Sequence, residues 1–274
     1  MNFKGISYYL GIFCFPVSIL AFINILYSSY FDYFLSIDSY FTTLILSLFA
    51  GLGLCFLGKK SEKKINFIEQ LLLIIFVYIL ISFLISIPFY LSNYQVTFIN
   101  SIFESISGLT GTGFSIFKNI KYLDPTLILW RSSSQWIGGL YFLFFLIIIF
   151  SNRQFNFKMN DLTFSGDGSI NSRSNIKEFM LRIFIIYSLL SFVVFTLLSI
   201  TDVRLFNSLN LSMSLISTGG FIPTDSLNKI IQSNPQKIVF IFALLLSMLN
   251  FFLIVNFFDK QAIIKEHKED LYLI

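Results

Sequence analysis

The chain has 274 residues, of which 55% are hydrophobic and only 12% are charged, and 36 of them are phenylalanine. This composition lies far from the globular average and excludes an ordinary water-soluble domain; it indicates a protein that crosses the membrane several times. The formal net charge of +4 follows from the membrane topology described below and requires no nucleic-acid partner.

Six apolar stretches are long enough to cross a hydrocarbon core about 30 Å thick, which takes about 20 helical residues. We predict membrane-spanning helices at 7–29, 38–58, 65–91, 126–150, 177–200 and 236–258. Two further apolar stretches, near 97–109 and 204–216, are too short to span. The sequence therefore predicts an all-α polytopic membrane protein in which two short helices enter the membrane without crossing it.

The distribution of lysine and arginine indicates the orientation, since six spans place both termini on the same side. With the termini inside, thirteen of the 19 lysines and arginines lie on the cytoplasmic side and six lie outside. Positively charged short loops stay in the cytoplasm. We therefore expect cytoplasmic termini and a basic inner surface that suits anionic lipid headgroups.

The second half of the chain repeats the first with one constant shift, which carries Asn100 onto Asn207. Each unit reads as a long helix, a short helix, a polar loop and a second long helix, with the short helix and loop entering from outside. The residues that support the shift are Asn100-Ser101 with Asn207-Ser208, Ser105 with Ser212, Ser107 with Ser214, and Gly113-Phe114 with Gly220-Phe221. Because both units start inside, their parallel arrangement suits a ring around a pore.

These features divide the chain into five segments. We predict an extra helix pair with a cytoplasmic turn at 1–64, pore repeat one at 65–150, a cytoplasmic linker at 151–175, pore repeat two at 176–258 and a cytoplasmic tail at 259–274. The linker is rich in Ser, Asn, Gly and charge without helical periodicity. The tail alternates charged and apolar residues, a pattern typical of a segment on the inner membrane surface.

The two polar loops carry the functional interpretation. Selectivity filters replace the hydration shell of an ion with backbone carbonyls, and glycine permits the positive φ and close backbone approach that this requires. Each short helix ends before its loop with a carbonyl end worth about half a negative charge, which favours a cation. We predict a cation filter formed by Thr110, Gly111, Thr112 and Gly113 with Ser217, Thr218, Gly219 and Gly220. The alternative is that these turns only connect helices.

Three polar residues within the apolar segments are candidates for pore support. Glu104 lies in the first short helix and Arg131 lies near the start of the following long helix. They either pair behind the loop or line the outer mouth, or Arg131 only extends to the outer interface. Asn250 lies in the last span, where it either hydrogen-bonds across helices or faces the cavity below the filter.

Other function classes lack support in the sequence. The only histidine is His267, and no cluster of His, Asp and Glu has metal-ligand spacing. Glu104 without a second acid or base does not supply general acid–base chemistry, so we do not expect an enzyme. A secondary transporter with a site between broken helices and a non-conducting assembly subunit remain as alternatives.

Several segments resemble the Trk/Ktr/HKT superfamily of potassium and sodium transporters, and most of all the N-terminal half of its bacterial TrkH-type membrane subunits. Ser105–Phe114 resembles the first filter of that family and Ser217–Phe221 resembles the second. Trp130-Arg131-Ser132 and Gln135–Gly139 resemble the start of the helix that follows the first filter. The resemblance covers nearly the whole chain, including the extra helix pair.

The resemblance implies potassium uptake across the bacterial inner membrane through four repeats around one axis, with potassium as the transported substrate and no cofactor. Potassium would bind at Thr110, Gly111, Thr112, Ser217, Thr218 and Gly219. Gly113 and Gly220 match two of four filter glycines, and glycine at the first position goes with potassium, whereas serine there goes with sodium. The family also implies a dimer of pores on a cytosolic nucleotide-binding regulatory subunit.

The sequence departs from the family pattern because it contains two repeats and stops where a third should begin. Three interpretations follow: a second polypeptide supplies the missing repeats, a second copy of the chain closes the ring, or the chain is an inactive fragment. The tail from Glu266 to Leu273 resembles the linker into a third repeat, which favours the first over a purpose-built homodimer.

Overall fold

The structure is a computed structural model that describes residues 1–61, 65–150 and 173–248. These ranges contain eight α-helices and no β-strand. The helices are α1 (Phe3–Tyr30), α2 (Ile37–Gly58), α3 (Phe67–Tyr90), α4 (Phe98–Leu109), α5 (Pro125–Phe150), α6 (Arg173–Ile200), α7 (Leu205–Ile216) and α8 (Asn234–Met248). The all-α architecture expected from the sequence is confirmed.

Within the described ranges, five helices are long and apolar enough to cross a membrane. They are Phe3–Tyr30, Phe34–Gly58, Phe67–Tyr90, Pro125–Ile149 and Glu178–Ile200, in agreement with the first five predicted spans. The start of α8 agrees with the sixth span, whereas its predicted continuation to 258, most of the linker and the tail lie outside the described residues. α4 and α7 have 12 residues each, as expected for helices that do not span.

A shared carboxylate fixes the starts of α1 and α3. In α3, Asn66 and Glu69 form a reciprocal capping box, which satisfies backbone donors that have no partner within the helix. The Glu69 carboxylate accepts from the Asn66 N–H at 2.8 Å and from the Asn2 N–H at 2.5 Å. The two helices therefore begin side by side at the same face of the molecule.

Small residues let α1 and α2 approach closely. A Cβ atom on Gly11 would lie 2.7 Å from the Gly51 carbonyl oxygen and 2.8 Å from the Cys55 nitrogen. The hydroxyls of Ser18 and Ser47 hydrogen-bond between the two helices at 2.7 Å. Glycine and serine are the residues that pack membrane helices in this way, since lipid supplies no hydrophobic drive for helix association.

α5 lies between two hydrophobic cores. One face packs with α1 to α3 and the other with α6 to α8. Buried polar side chains fix its position through three long-range hydrogen bonds: Trp130 Nε1 donates to the Ile85 carbonyl at 3.0 Å, the Tyr40 hydroxyl to Thr126 Oγ1 at 3.2 Å, and the Tyr141 hydroxyl to the Phe13 carbonyl at 2.6 Å. α5 is thus the common support of both halves.

Gly11→Ala tests the close approach of α1 and α2. The added methyl group overlaps backbone atoms of α2, so we expect the free energy of unfolding in detergent to fall by about 1–3 kcal/mol, as for overpacking. Gly53→Ala is the matched control, because a Cβ on Gly53 meets nothing within 4 Å. Equal stability of the two variants would contradict the packing described.

Candidate ion-conduction site

Two short helices end inside the protein and each is followed by a polar loop. We call Thr110–Gly113 loop one and Ser217–Gly220 loop two. α4 ends at Leu109 and α7 ends at Ile216, so the helix ends obey the same shift as the repeated sequence. The first loop residues have nearly the same backbone angles, with φ −86° and ψ −4° at Thr110 and φ −80° and ψ −3° at Ser217.

The repeat shift also relates the hydrogen bonds of the two loops. Each loop turns back on its helix through three equivalent backbone bonds, and loop one has a fourth, from Gly113 N to the Ser107 carbonyl at 3.5 Å. The first residue of each loop adds a side-chain bond of 2.8 Å from its hydroxyl to a helix carbonyl. The backbone pairs are Thr110 N to Ile106 O (2.9 Å) with Ser217 N to Met213 O (3.2 Å), Gly111 N to Gly108 O (3.1 Å) with Thr218 N to Leu215 O (2.9 Å), and Thr112 N to Ser107 O (3.0 Å) with Gly219 N to Ser214 O (2.8 Å).

Positive φ angles occur at equivalent positions of the loops. Gly113 has φ +79° and Gly220 has φ +81°, while Gly111 at +67° corresponds to Thr218 at +53°. Left-handed backbone is strained for a β-branched residue, and Thr218 adopts it at the position where loop one has glycine. Of the four loop glycines named from the sequence, Gly219 alone has no positive φ.

The loops touch each other through their backbones. A Cβ on Gly113 would lie 2.5 Å from the Gly219 carbonyl oxygen and 3.4 Å from the Gly220 Cα. Thr110 and Thr112 are exposed on the open side of this contact, as are Thr218 and Gly220, and the two loop-one hydroxyls hydrogen-bond at 2.6 Å. The structure therefore brings the eight residues of the predicted filter together, with one side exposed in the described part of the chain.

Glu104 and Arg131 form a buried ion pair behind the loops. Arg131 Nε lies 2.8 Å from Glu104 Oε1, and the two side chains are 1% and 0% exposed. The carboxylate also accepts from the Ser115 hydroxyl at 2.9 Å and the Ile116 N–H at 2.8 Å, just after loop one. Arg131 thus does not extend to the outer interface, because its charge is neutralised inside the protein.

Arg131 also contacts the residue that follows loop two. Its guanidinium carbon lies 4.3 Å from the centroid of the Phe221 ring, a cation–π distance, and its Nη2 donates to the Ser115 hydroxyl at 3.0 Å. Phe221 directly follows Gly220 and is only 2% exposed. One buried side chain of α5 therefore braces the segments that follow both loops.

Gln135 is a supporting residue that the sequence prediction missed. One helical turn after Arg131, its Nε2 donates to the Gly219 carbonyl at 2.5 Å and its Oε1 accepts from the Phe221 N–H at 3.1 Å. Glycine at position 219 leaves room for this contact, because a Cβ there would overlap the Gln135 amide and displace it. The one sequence signal for this role is the four-residue spacing from Arg131, since residues four apart share one face of a helix.

Two glycines allow the supporting helix to reach the short helices. A Cβ on Gly138 would overlap the Leu109 carbonyl oxygen at the end of α4, and one on Gly139 would lie 3.0 Å from the Ser217 Cβ. α5 therefore contacts the carbonyl end of α4 and the start of loop two. Arg131 and Gln135, which brace the site together with Glu104 of α4, thus come from one helix that is itself held in two cores.

A second bridge joins the segments outside the loops. The Asp225 carboxylate accepts from the Lys121 N–H at 3.0 Å and from Lys229 Nζ at 3.0 Å. These contacts, first the Lys121 N–H and then the Lys229 ammonium, lower the pKa of Asp225 below its ordinary value of 3.8. Asn250, the third candidate for pore support, lies outside the described residues.

Comparison with known proteins places these features in a family context. The model of a family described as TrkH, cation transport protein, matches residues 36–274. An uncharacterized cation transporter of Methanocaldococcus jannaschii is 24% identical over 224 residues, which cover 80% of this chain and 45% of the relative. The Trk system potassium uptake protein TrkG of Escherichia coli is 29% identical over 106 residues, 38% of this chain and 22% of that protein.

A solved structure has the same fold. The crystal structure of the potassium transporter TrkH from Vibrio parahaemolyticus superposes with a TM-score of 0.79 over 96% of this chain, at 21% sequence identity. The match covers 53% of that transporter. The chain therefore spans about half the length of the relatives that it matches over most of its residues.

A double-mutant cycle on Glu104 and Arg131 tests the ion pair. Arg131→Leu leaves a buried carboxylate without its cation, so we expect the free energy of unfolding to fall by about 3–5 kcal/mol. Adding Glu104→Gln should recover part of that loss, because the unpaired charge is removed. Lys118→Met, an exposed cation in the segment after loop one, is the control. Additive single effects would contradict the pairing.

The Asp225 bridge predicts a pH-dependent contribution to stability. Because the folded-state pKa is lowered, the charged bridge stabilises the protein above the ordinary value of 3.8 and loses its effect as the pH falls through the lowered pKa. Thermal unfolding midpoints of the wild type and Asp225→Asn should therefore differ at pH 6 and converge towards pH 3. A difference that stays constant with pH would show that the carboxylate charge does not contribute.

Proposed function

Since the chain belongs to the TrkH family of cation transport proteins, we propose that it forms half of a potassium uptake pore in which loops one and two line the conduction path. The main support is the matched backbone of the two loops, which meet at glycines and leave one side open. The family is a class of cation transporters and not of enzymes. The spanning helices make the chain a multi-pass membrane protein.

In the proposed mechanism, potassium exchanges its hydration shell for oxygens of the two loops. The ligands are Thr110, Gly111 and Thr112 with Ser217, Thr218 and Gly219, and hydroxyl oxygens supplement backbone carbonyls. Gly219 already accepts from Gln135, but a carbonyl oxygen has two lone pairs and keeps one for a cation.

The surroundings of the loops favour a cation. The carbonyl ends of α4 and α7 point at the loops, each worth about half a negative charge. The nearby Arg131 does not oppose this potential, because Glu104 neutralises it at 2.8 Å. A membrane potential that is negative inside then drives potassium entry with about 2.3 kcal/mol per charge per 100 mV.

The open side of the loops supports a second half of the ring. Thr112, Thr218 and Gly220 are exposed in the described chain, and carbonyl ligands on one side only do not replace a hydration shell. We propose that further repeats, from another polypeptide, from more of the same one or from a second copy, complete the pore. A chain that only assists assembly is the alternative.

We further propose an orientation in the membrane, a regulatory partner and a segment organisation for the chain. The lysine and arginine distribution supports cytoplasmic termini in a bacterial inner membrane. By resemblance, a cytosolic nucleotide-binding regulatory subunit binds this inner face. The five segments bounded at 64, 150, 175 and 258 are the organisation we propose for the chain.

Rubidium uptake tests the filter. In source cells whose other potassium uptake systems are deleted, Gly113→Leu should abolish uptake, because the side chain enters the loop contact and needs a left-handed backbone. Gly53→Leu is the matched control, since a Cβ at Gly53 meets no atom within 4 Å. Gly113→Ser should raise sodium uptake relative to rubidium. Normal uptake by a well-inserted Gly113→Leu variant would refute the filter assignment.

A further inference from the structure

The two loops differ in what covers them. In loop two, Gln135 binds the Gly219 carbonyl and the Phe221 N–H, and the Phe221 ring is 2% exposed. The equivalent groups of loop one are the Thr112 carbonyl and the Phe114 N–H. Neither makes a hydrogen bond within the described part of the chain, and the Phe114 ring is 69% exposed.

The cover of loop two comes from the preceding repeat. Gln135 and Arg131 lie on α5, which follows loop one, and they reach across to the next loop. In a ring of such units, loop one is covered by the last helix of the unit that precedes it. None of the described helices fills that place, and in the proposed ring it belongs to the other half. This step rests on the proposed function.

A second copy of the chain does not supply that cover. In a two-fold ring, α8 of the other copy would stand where α5 stands for loop two, and the repeat shift carries Arg131 to Ile238 and Gln135 to Phe242. Both residues are apolar and are 67% and 51% exposed. Neither donates to the Thr112 carbonyl or accepts from the Phe114 N–H, and unpaired backbone groups are costly at membrane depth.

We propose that loop one docks on a membrane helix from outside residues 1–274 that carries a glutamine or asparagine. The amide donates to the Thr112 carbonyl and accepts from the Phe114 N–H, and an apolar pocket beside it takes the Phe114 ring. The partner is therefore a different half of the ring and not a second copy of this one.

Site-specific photo-crosslinking identifies the covering helix. A benzophenone amino acid at position 114, expressed in the source cell, should crosslink to a helix outside residues 1–274 with Asn or Gln within one turn of the linked residue, as read by mass spectrometry. The same probe at position 221 should crosslink to α5 within the chain. At position 49, where Phe49 is 73% exposed on α2, it is the control for lipid-facing background.

Three results would overturn the docking proposal. They are a crosslink from position 114 to residues 234–248 of a second copy, a crosslink to a helix without an amide near the linked residue, and no protein product from position 114 when position 221 crosslinks normally. The proposed function fails separately, through rubidium uptake that ignores Gly113→Leu. If position 114 crosslinks to a second copy while Gly113→Leu still abolishes rubidium uptake, the docking proposal is wrong and the filter assignment stands.

Discussion

The structure depends on one constraint: non-helical backbone inside a membrane has to be satisfied by the protein itself. Loops one and two meet part of this requirement by turning back on the helices they follow, with three equivalent backbone hydrogen bonds in each. Loop two receives further support from Gln135, which binds a carbonyl and an N–H together. A polar loop that would be unstable in lipid is thus satisfied within the protein.

α5 provides this support because its sequence combines charge, amide and glycine on a helix held in two hydrophobic cores. Arg131 is neutralised by Glu104 and stacks on Phe221, while Gly138 and Gly139 let the helix approach the short helices. A buried ion pair is weak evidence for stability when compared with apolar packing. Here the pair links the segments that follow both loops, so we assign it a positioning role.

Much of this arrangement was predictable from the sequence. Hydropathy and length located the spanning helices and the two short helices, and the repeated spacing located both loops, because these signals are local. Pairing of Arg131 with Glu104 was one of the sequence alternatives, but the sequence did not decide between this pair and an interfacial Arg131, since interfacial and buried positions look alike along one helix. Gln135 was missed because its contacts are with residues of the other repeat, far away along the chain, and Thr218 shows that left-handed backbone does not always fall on glycine.

The two repeats differ most at the residue that follows each loop. The Phe221 ring is buried, whereas the Phe114 ring is exposed. The central claim remains that the two loops bind the transported ion. The most direct measurement is the anomalous scattering of rubidium in crystals of the assembled transporter. We expect rubidium sites between residues 110–113 and 217–220, within direct coordination distance of their oxygens. Ordered rubidium elsewhere along the pathway, with none at these loops, would contradict the claim.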